Sequence, residues 1–182
     1  MASATNSSAN TGTEAGDRFI ATGAMIGPSI KQVETTQDLQ AVADLFRAYA
    51  ASLDIDLAYQ DFASELAGLP GKYALPRGAL LLARDEAGAA LGCVGLRPLG
   101  EERVGEIKRL YILPSARGLG LGWALAEAAV EEASRLGYSE LRLDTLPSMS
   151  AAISMYRRMG FEPIEPYYGP TPPGTLFMAL SL

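Results

Sequence analysis

One stretch constrains this chain more than any other: Glu106 to Gly137, EIKRLYILPSARGLGLGWALAEAAVEEASRLG. It predicts a strand, a tight turn with glycine at positions 118, 120 and 122, and a long amphipathic helix. Leu121, Leu125, Ala128, Ala129, Ala133 and Leu136 recur at helical spacing as the buried stripe, with Glu127, Glu131, Glu132 and Arg135 on the wet side and Gly137 as the stop. A glycine turn running into a helix start leaves backbone N–H groups unpaired beside the positive end of the helix dipole. That arrangement favours an anion, phosphate above all. The dinucleotide fingerprint G-x-G-x-x-G fails, because counting from Gly118 its last position is Trp123. The Walker A pattern fails as well, since no Lys-Ser or Lys-Thr follows. Glycine turns also occur as loops that are merely tight. The anion reading rests on Arg117 at the mouth, the strand before it and a helix that begins inside the glycines.

The flanking patterns describe the scaffold. Residues 1–27, rich in Ser, Ala, Thr, Gly and Asn, read as a flexible tail with a short apolar piece from Phe19 to Ile26, and residues 28–182 read as one domain. Ser29 to Glu34 is a candidate strand. Thr35 to Asp38 carries a capping signature for a helix through Leu39, Val42, Phe46 and Leu53, and a second helix is expected over Leu57 to Leu66. Strands are expected at Ala79–Arg84, Ala90–Arg97 and Val104–Leu113, the first two joined by a turn at Asp85–Gly88; Gly92 and Gly95 suggest a bulge or a close backbone approach. A strand at Glu140–Asp144, a helix over Ser148–Met159 and strands at Phe161–Ile164 and Thr175–Leu180 complete the order. Three meander strands followed by two strand–helix units make an α+β fold with a mixed sheet, not a doubly wound parallel one.

Composition removes whole classes of chemistry. Histidine is absent and Cys93 is the single cysteine, so His-based triads, internal disulfides and thiolate metal clusters are excluded, and no metal site is expected. Cys93 falls in an apolar strand and reads as a small core residue. Any general base is then a carboxylate, tyrosine, lysine or relayed water. The formal charge of −6 argues against nucleic acid, and no apolar run is long enough to cross a membrane. A cytoplasmic protein is expected, as monomer or homodimer.

The turn resembles that of the GNAT N-acetyltransferases. Arg117, Gly120 and Gly122 match the family's Arg/Gln-x-x-Gly-x-Gly/Ala hallmark, and Ala152, Tyr156, Gly160 and Phe161 match a second one. LDTLPSM, MYRRMGF and PPGTLFM are similar to segments of bacterial members whose acceptors are generally unassigned. The resemblance implies a mostly antiparallel sheet flanked by helices, splayed between its fourth and fifth strands. It implies acetyl-CoA as co-substrate: the pyrophosphate on amides of Arg117, Gly118, Leu119, Gly120, Leu121, Gly122 and Trp123, and the pantetheine along Leu110, Tyr111 and Ile112, with an oxyanion donor near Ile112. Tyr156 would be the general acid toward the thiolate and Glu106 the base, on a small amine or peptide acceptor.

The residues themselves leave alternatives. Strand alternation puts Glu106, Lys108 and Leu110 on one face and Ile107, Arg109 and Tyr111 on the other, so Glu106 is equally readable as the ion-pair partner of Lys108. Asp144 is the fallback base, and Lys108, Arg109 and Tyr111 are candidates to shape the acceptor pocket. Tyr156 is readable as a core tyrosine beside Ala152 and Ile153. Met149 stands where many relatives carry an asparagine that contacts coenzyme A. The rival functions are transfer of another acyl group and a non-catalytic acyl-CoA-binding or sensing module. Tyr156 discriminates the latter, since a sensor has no use for a leaving-group acid.

Overall fold

The computed structural model describes residues 27–182, so the expected tail and its apolar piece lie, Gly27 apart, outside the described residues. β1 (Ser29–Gln32), β2 (Ala79–Arg84), β3 (Ala90–Pro98), β4 (Val104–Ile112), β5 (Glu140–Thr145), β6 (Glu162–Ile164) and β7 (Leu176–Ser181) form one sheet in the order β1-β2-β3-β4-β5-β7-β6. Every neighbouring pair is antiparallel except β4–β5. Four helices flank it: α1 (Thr36–Ala51), α2 (Phe62–Ala67), α3 (Leu121–Arg135) and α4 (Ser150–Arg158).

Both faces of the sheet are covered, which explains the unbroken apolar run in β2. Leu80 and Leu82 point to the face where Val42, Leu45 and Phe46 of α1 pack, together with Cys93. Leu81 and Ala83 point to the other, under Leu125, Ala126, Ala129 and Ala133 of α3. Three of the α3 alanines, Ala126, Ala129 and Ala133, are fully buried and leave no room to spare between helix and strands. Thr35 caps α1 in a complete capping box with Asp38, as the spacing predicts.

The helix expected over Leu57–Leu66 is broken in two. A 3-10 turn, Leu57–Gln60, ends at Asp61, whose φ of 54° lies in the left-handed region, and α2 starts afresh after it. Gly92 and Gly95 meet the expectation of close approach: a Cβ would lie 2.6 Å from the Tyr111 carbonyl oxygen at Gly92 and 2.5 Å from the Tyr73 ring at Gly95.

The parallel pairing of β4 with β5 covers only Val104–Glu106 against Glu140–Arg142. Beyond that point both strands run on unpaired with each other, and this is the expected splay. In the same region β4 carries a bulge. Cys93 faces Tyr111 but Gly95 faces Lys108, so Val94 is opposed by two residues, Arg109 and Leu110, and Arg109 has φ 59°. The extra residue resets the alternation, which corrects the face assignment made from a regular strand. Leu110 joins Ile107 against the α3 layer, while Tyr111 packs with the α1 layer. Arg109 turns to α2.

Candidate active site

The glycine turn is built as a cradle. Gly118 and Gly120 have φ of 83° and 74°, and a Cβ on either would meet nothing within 4 Å, so the turn is open to solvent as well as left-handed. Gly120 is the N-cap of α3 and supplies no side-chain cap. The first helical bond there is Ala124 N–H to Gly120 O, at 3.1 Å. The N–H groups of Leu121, Gly122 and Trp123 therefore project unpaired from the helix end, where the dipole favours an anion. Leu121 is buried and anchors the helix, while Leu119 is 72% exposed at the tip. Arg117 is tethered rather than free: its Nε donates to the Ile112 carbonyl at 3.2 Å, and its guanidinium lies over the Tyr111 ring.

That tether reveals the direction of the β4 backbone. Leu113 N–H donates to Leu91 O at 2.9 Å, so the alternate residue, Ile112, turns its own N–H and C=O away from β3. In the splay no β5 backbone meets them. An unpaired strand edge runs from the bulge to the glycine turn, suited to an extended amide-bearing chain. Leu110 and Ile112 line this edge. Tyr111 is in phase with Leu113, so its backbone groups turn to β3, and its ring is buried against α1 beside Tyr49.

At the inner end of the splay lies a small cavity of about 60 Å³, bounded by Ile107–Leu110, Leu143–Leu146, Met149, Ala152 and Tyr156. Tyr156 is 5% exposed, its ring edge-on to Phe161 at 5.4 Å. Its hydroxyl has no hydrogen-bond partner among the described residues, although every buried side-chain polar atom but Gln32 Oε1 has one. The hydroxyl therefore opens on the cavity. Burial, then the neighbouring Tyr49 and Asp144, push its pKa above the usual phenol range, so it keeps its proton. Met149 stands at the N-cap of α4 without a side-chain cap bond and takes a hydrogen bond from Thr145 on its sulfur at 3.6 Å.

A larger cleft of about 380 Å³ opens on the other side of Tyr59, Gln60 and Lys108, which line both spaces. Glu106 forms its floor and is fully buried. Its closest cation is not Lys108, at 3.7 Å, but Arg97, whose Nε donates to Oε2 at 2.7 Å. Tyr167 donates to Oε1 at 2.9 Å. Lys108 instead binds Asp144 at 2.6 Å. Burial raises the pKa of Asp144, but the charge and hydrogen bond of Lys108, with Tyr168, outweigh that and hold it below the usual range. Burial and then the charges of Glu106 and Asp144 push Tyr167 up; burial and then Asp144 push Tyr59 up to about 12. The cleft is thus walled by protonated tyrosines, with the Glu106 carboxylate on its floor.

Arg109 closes the back. It forks onto Glu65 at 3.0 and 2.9 Å, donates to Gln60 at 2.8 Å and lies over the Phe62 ring. Arg97, Gln60 and Glu65 are absent from the sequence reading. No local pattern marks them: Gln60 and Glu65 meet Arg109 from far along the chain, and Arg97 meets Glu106 across the β3–β4 register. Cys93 is fully buried and its thiol is pushed up by burial alone, as a core residue.

Comparison with known proteins agrees with this fold. A model described as acetyltransferase (GNAT) family matches residues 39–161. An uncharacterized N-acetyltransferase of Schizosaccharomyces pombe is 40% identical over 154 residues, covering 85% of this chain and 94% of that protein. An aminoglycoside N(6')-acetyltransferase type 1 of Klebsiella aerogenes is 35% identical, over 74% of this chain and 89% of that one. Among solved structures, a phosphinothricin acetyltransferase from Sinorhizobium meliloti in complex with AcCoA superposes with a TM-score of 0.66 at 20% identity, covering 86% of this chain and 89% of that one.

Proposed function

This chain belongs to the acetyltransferase (GNAT) family, and we propose that it moves the acetyl group of acetyl-CoA directly to a primary amine of a small molecule or peptide. The observation that carries this reading is Tyr156: a buried phenol, protonated and without a hydrogen-bond partner among the described residues, facing a small cavity in the splay. The cavity of about 60 Å³ suits a two-carbon acyl group better than a long one.

The residues divide the work as follows. The amides of Gly118 to Trp123 and the α3 dipole hold the pyrophosphate. The free edge of Leu110–Ile112 hydrogen-bonds the pantetheine and aims an N–H at the carbonyl oxygen that gains charge. The amine nitrogen forms its bond to the acyl carbon as the carbon–sulfur bond breaks. Tyr156 gives its hydrogen bond to the departing sulfur. The proton shed by the amine passes toward Glu106 by way of Tyr167, which donates to that carboxylate and lines the cleft beside it. Cys93, sealed in the core, leaves no thiol to carry an acyl-enzyme, so the transfer is direct.

Titration calorimetry with acetyl-CoA, followed by release of free thiol in the presence of a panel of amines, tests the proposal. Binding with amine-dependent thiol release is the expected result. Absence of acetyl-CoA binding overturns it, and binding without transfer to any amine leaves an acyl-CoA sensor instead.

A further inference from the structure

Four cations stand in or behind the cleft, and three of them are fully committed. Arg142 forks onto Glu101 and also donates to Glu140. Arg109 forks onto Glu65 and reaches Gln60. Lys108 is held between Asp144 and Glu106 and lies over the Tyr168 ring. Arg97 differs. Only its Nε is engaged, by Glu106, and its two terminal nitrogens make no hydrogen bond among the described residues. Since Gln32 Oε1 is the one buried side-chain atom left unsatisfied, those nitrogens must face open space. Arg97 lines the cleft with Glu106 and Lys108, and also the adjoining hollow of about 250 Å³ under α2.

We propose that the free end of Arg97 binds a carboxylate of the acceptor, which makes the acceptor an amino acid or a close analogue; this rests on the transferase reading above. The guanidinium is held by its Nε on a buried carboxylate, with the side chain 21% exposed, so its outer N–H pair is presented in a fixed plane. That planar pair matches a carboxylate in two parallel hydrogen bonds. Position fits too. Arg97 and Lys108 approach different oxygens of one carboxylate, Glu106, at 2.7 and 3.7 Å, both line the cleft, and Lys108 also borders the small cavity. Charge fits as well. Arg97 and Lys108 already balance Glu106 and Asp144. A ligand bringing one ammonium and one carboxylate leaves that buried cluster neutral, whereas a polycation does not.

The test is a matched acceptor series assayed by thiol release: several L-amino acids, their primary carboxamides, the corresponding decarboxylated amines, and an aminoglycoside. The wild type is expected to prefer each acid over its amide by roughly ten- to a hundred-fold in kcat/KM, the range for a hydrogen-bonded charge pair, expressed mainly in KM. Arg97→Lys keeps a cation for Glu106 but loses the fork, and should lower kcat/KM for the acid at least ten-fold more than for the amide. Equal or better use of amides, amines or the aminoglycoside by the wild type overturns the assignment, as does a variant that loses acid and amide activity in step. Should the variant not fold, calorimetry of the wild type with an N-acetylated amino acid and with its amide decides: tighter binding of the acid supports the assignment, equal binding overturns it. Loss of acetyl-CoA binding or of all transfer shows in the separate assays above and refutes the enzyme reading itself.

Discussion

Replacing Tyr156 with phenylalanine separates catalysis from structure more cleanly than any other change in this site. The ring sits buried in the α3–α4 layer, edge-on to Phe161 at 5.4 Å, and those contacts survive the substitution. The hydroxyl has no protein partner among the described residues, so its removal orphans no donor or acceptor. Stability should change by less than about 1 kcal/mol. The transition state loses a hydrogen bond to a sulfur gaining negative charge, about 1.5–3 kcal/mol for a charged acceptor and more where proton transfer contributes. The expected outcome is a fall in kcat of roughly ten- to a thousand-fold, by thiol release at saturating amine. Thermal melting and calorimetric affinity for acetyl-CoA should hold at the wild-type values. Because burial raises the phenol's pKa, wild-type kcat should also show no alkaline loss attributable to Tyr156 below its ordinary pKa of 10. A kcat within three-fold of wild type, or parallel losses of affinity and melting temperature, would refute the assignment of Tyr156 as the leaving-group donor.

Tyr167→Phe removes the hydroxyl that donates to Glu106 in the cleft while keeping the buried carboxylate on Arg97; kcat/KM should fall about ten-fold or more at neutral pH, with acetyl-CoA affinity retained, and an unchanged pH–rate profile would place the base elsewhere. Glu65→Gln leaves the Arg109 charge buried and half-paired, and should cost about 3–5 kcal/mol in denaturant unfolding, the bulge residue loosening with it. Burial raises the Glu65 pKa, but Arg109's hydrogen bonds and charge, with Tyr73, hold it below its ordinary 4.5; its contribution is present above that pH and lost as acid takes it through the lowered value. The variant should accordingly lose less stability than the wild type on going below pH 4.5. Gly120→Ala puts a side chain at φ 74°, costing about 1–2 kcal/mol, and should raise the acetyl-CoA KM several-fold, whereas Gly122→Ala meets only ordinary contacts at 3.8 and 4.0 Å and should be far milder.

Local patterns carried much of the fold. The capping box at Thr35, the β2–β3 hairpin, the glycine stop at 137 and the meander order are short-range effects, written within a few residues, and the structure places them where the spacing does. Regular alternation failed at β4, because a bulge is decided by what packs around the strand. Arg109 is held at φ 59° by Glu65, Gln60 and Phe62, residues more than forty positions earlier. The pairing of Glu106 shows the same limit. Lys108 is its neighbour along the strand, yet Arg97 is the closer partner because β3 lies beside β4 in register, Arg97 opposite Glu106.

By itself, then, the sequence determined the α+β class, the open glycine cradle before α3 and the tyrosine on α4. Each depends on backbone conformation or helical periodicity, which neighbouring residues settle. Only the tertiary structure decided which cation holds Glu106, which face Arg109, Leu110 and Tyr111 present, and that Arg97 keeps a free fork in the cleft. Those depend on strand register and on groups brought together across the whole chain, where burial makes each charge take the nearest partner in space rather than in sequence.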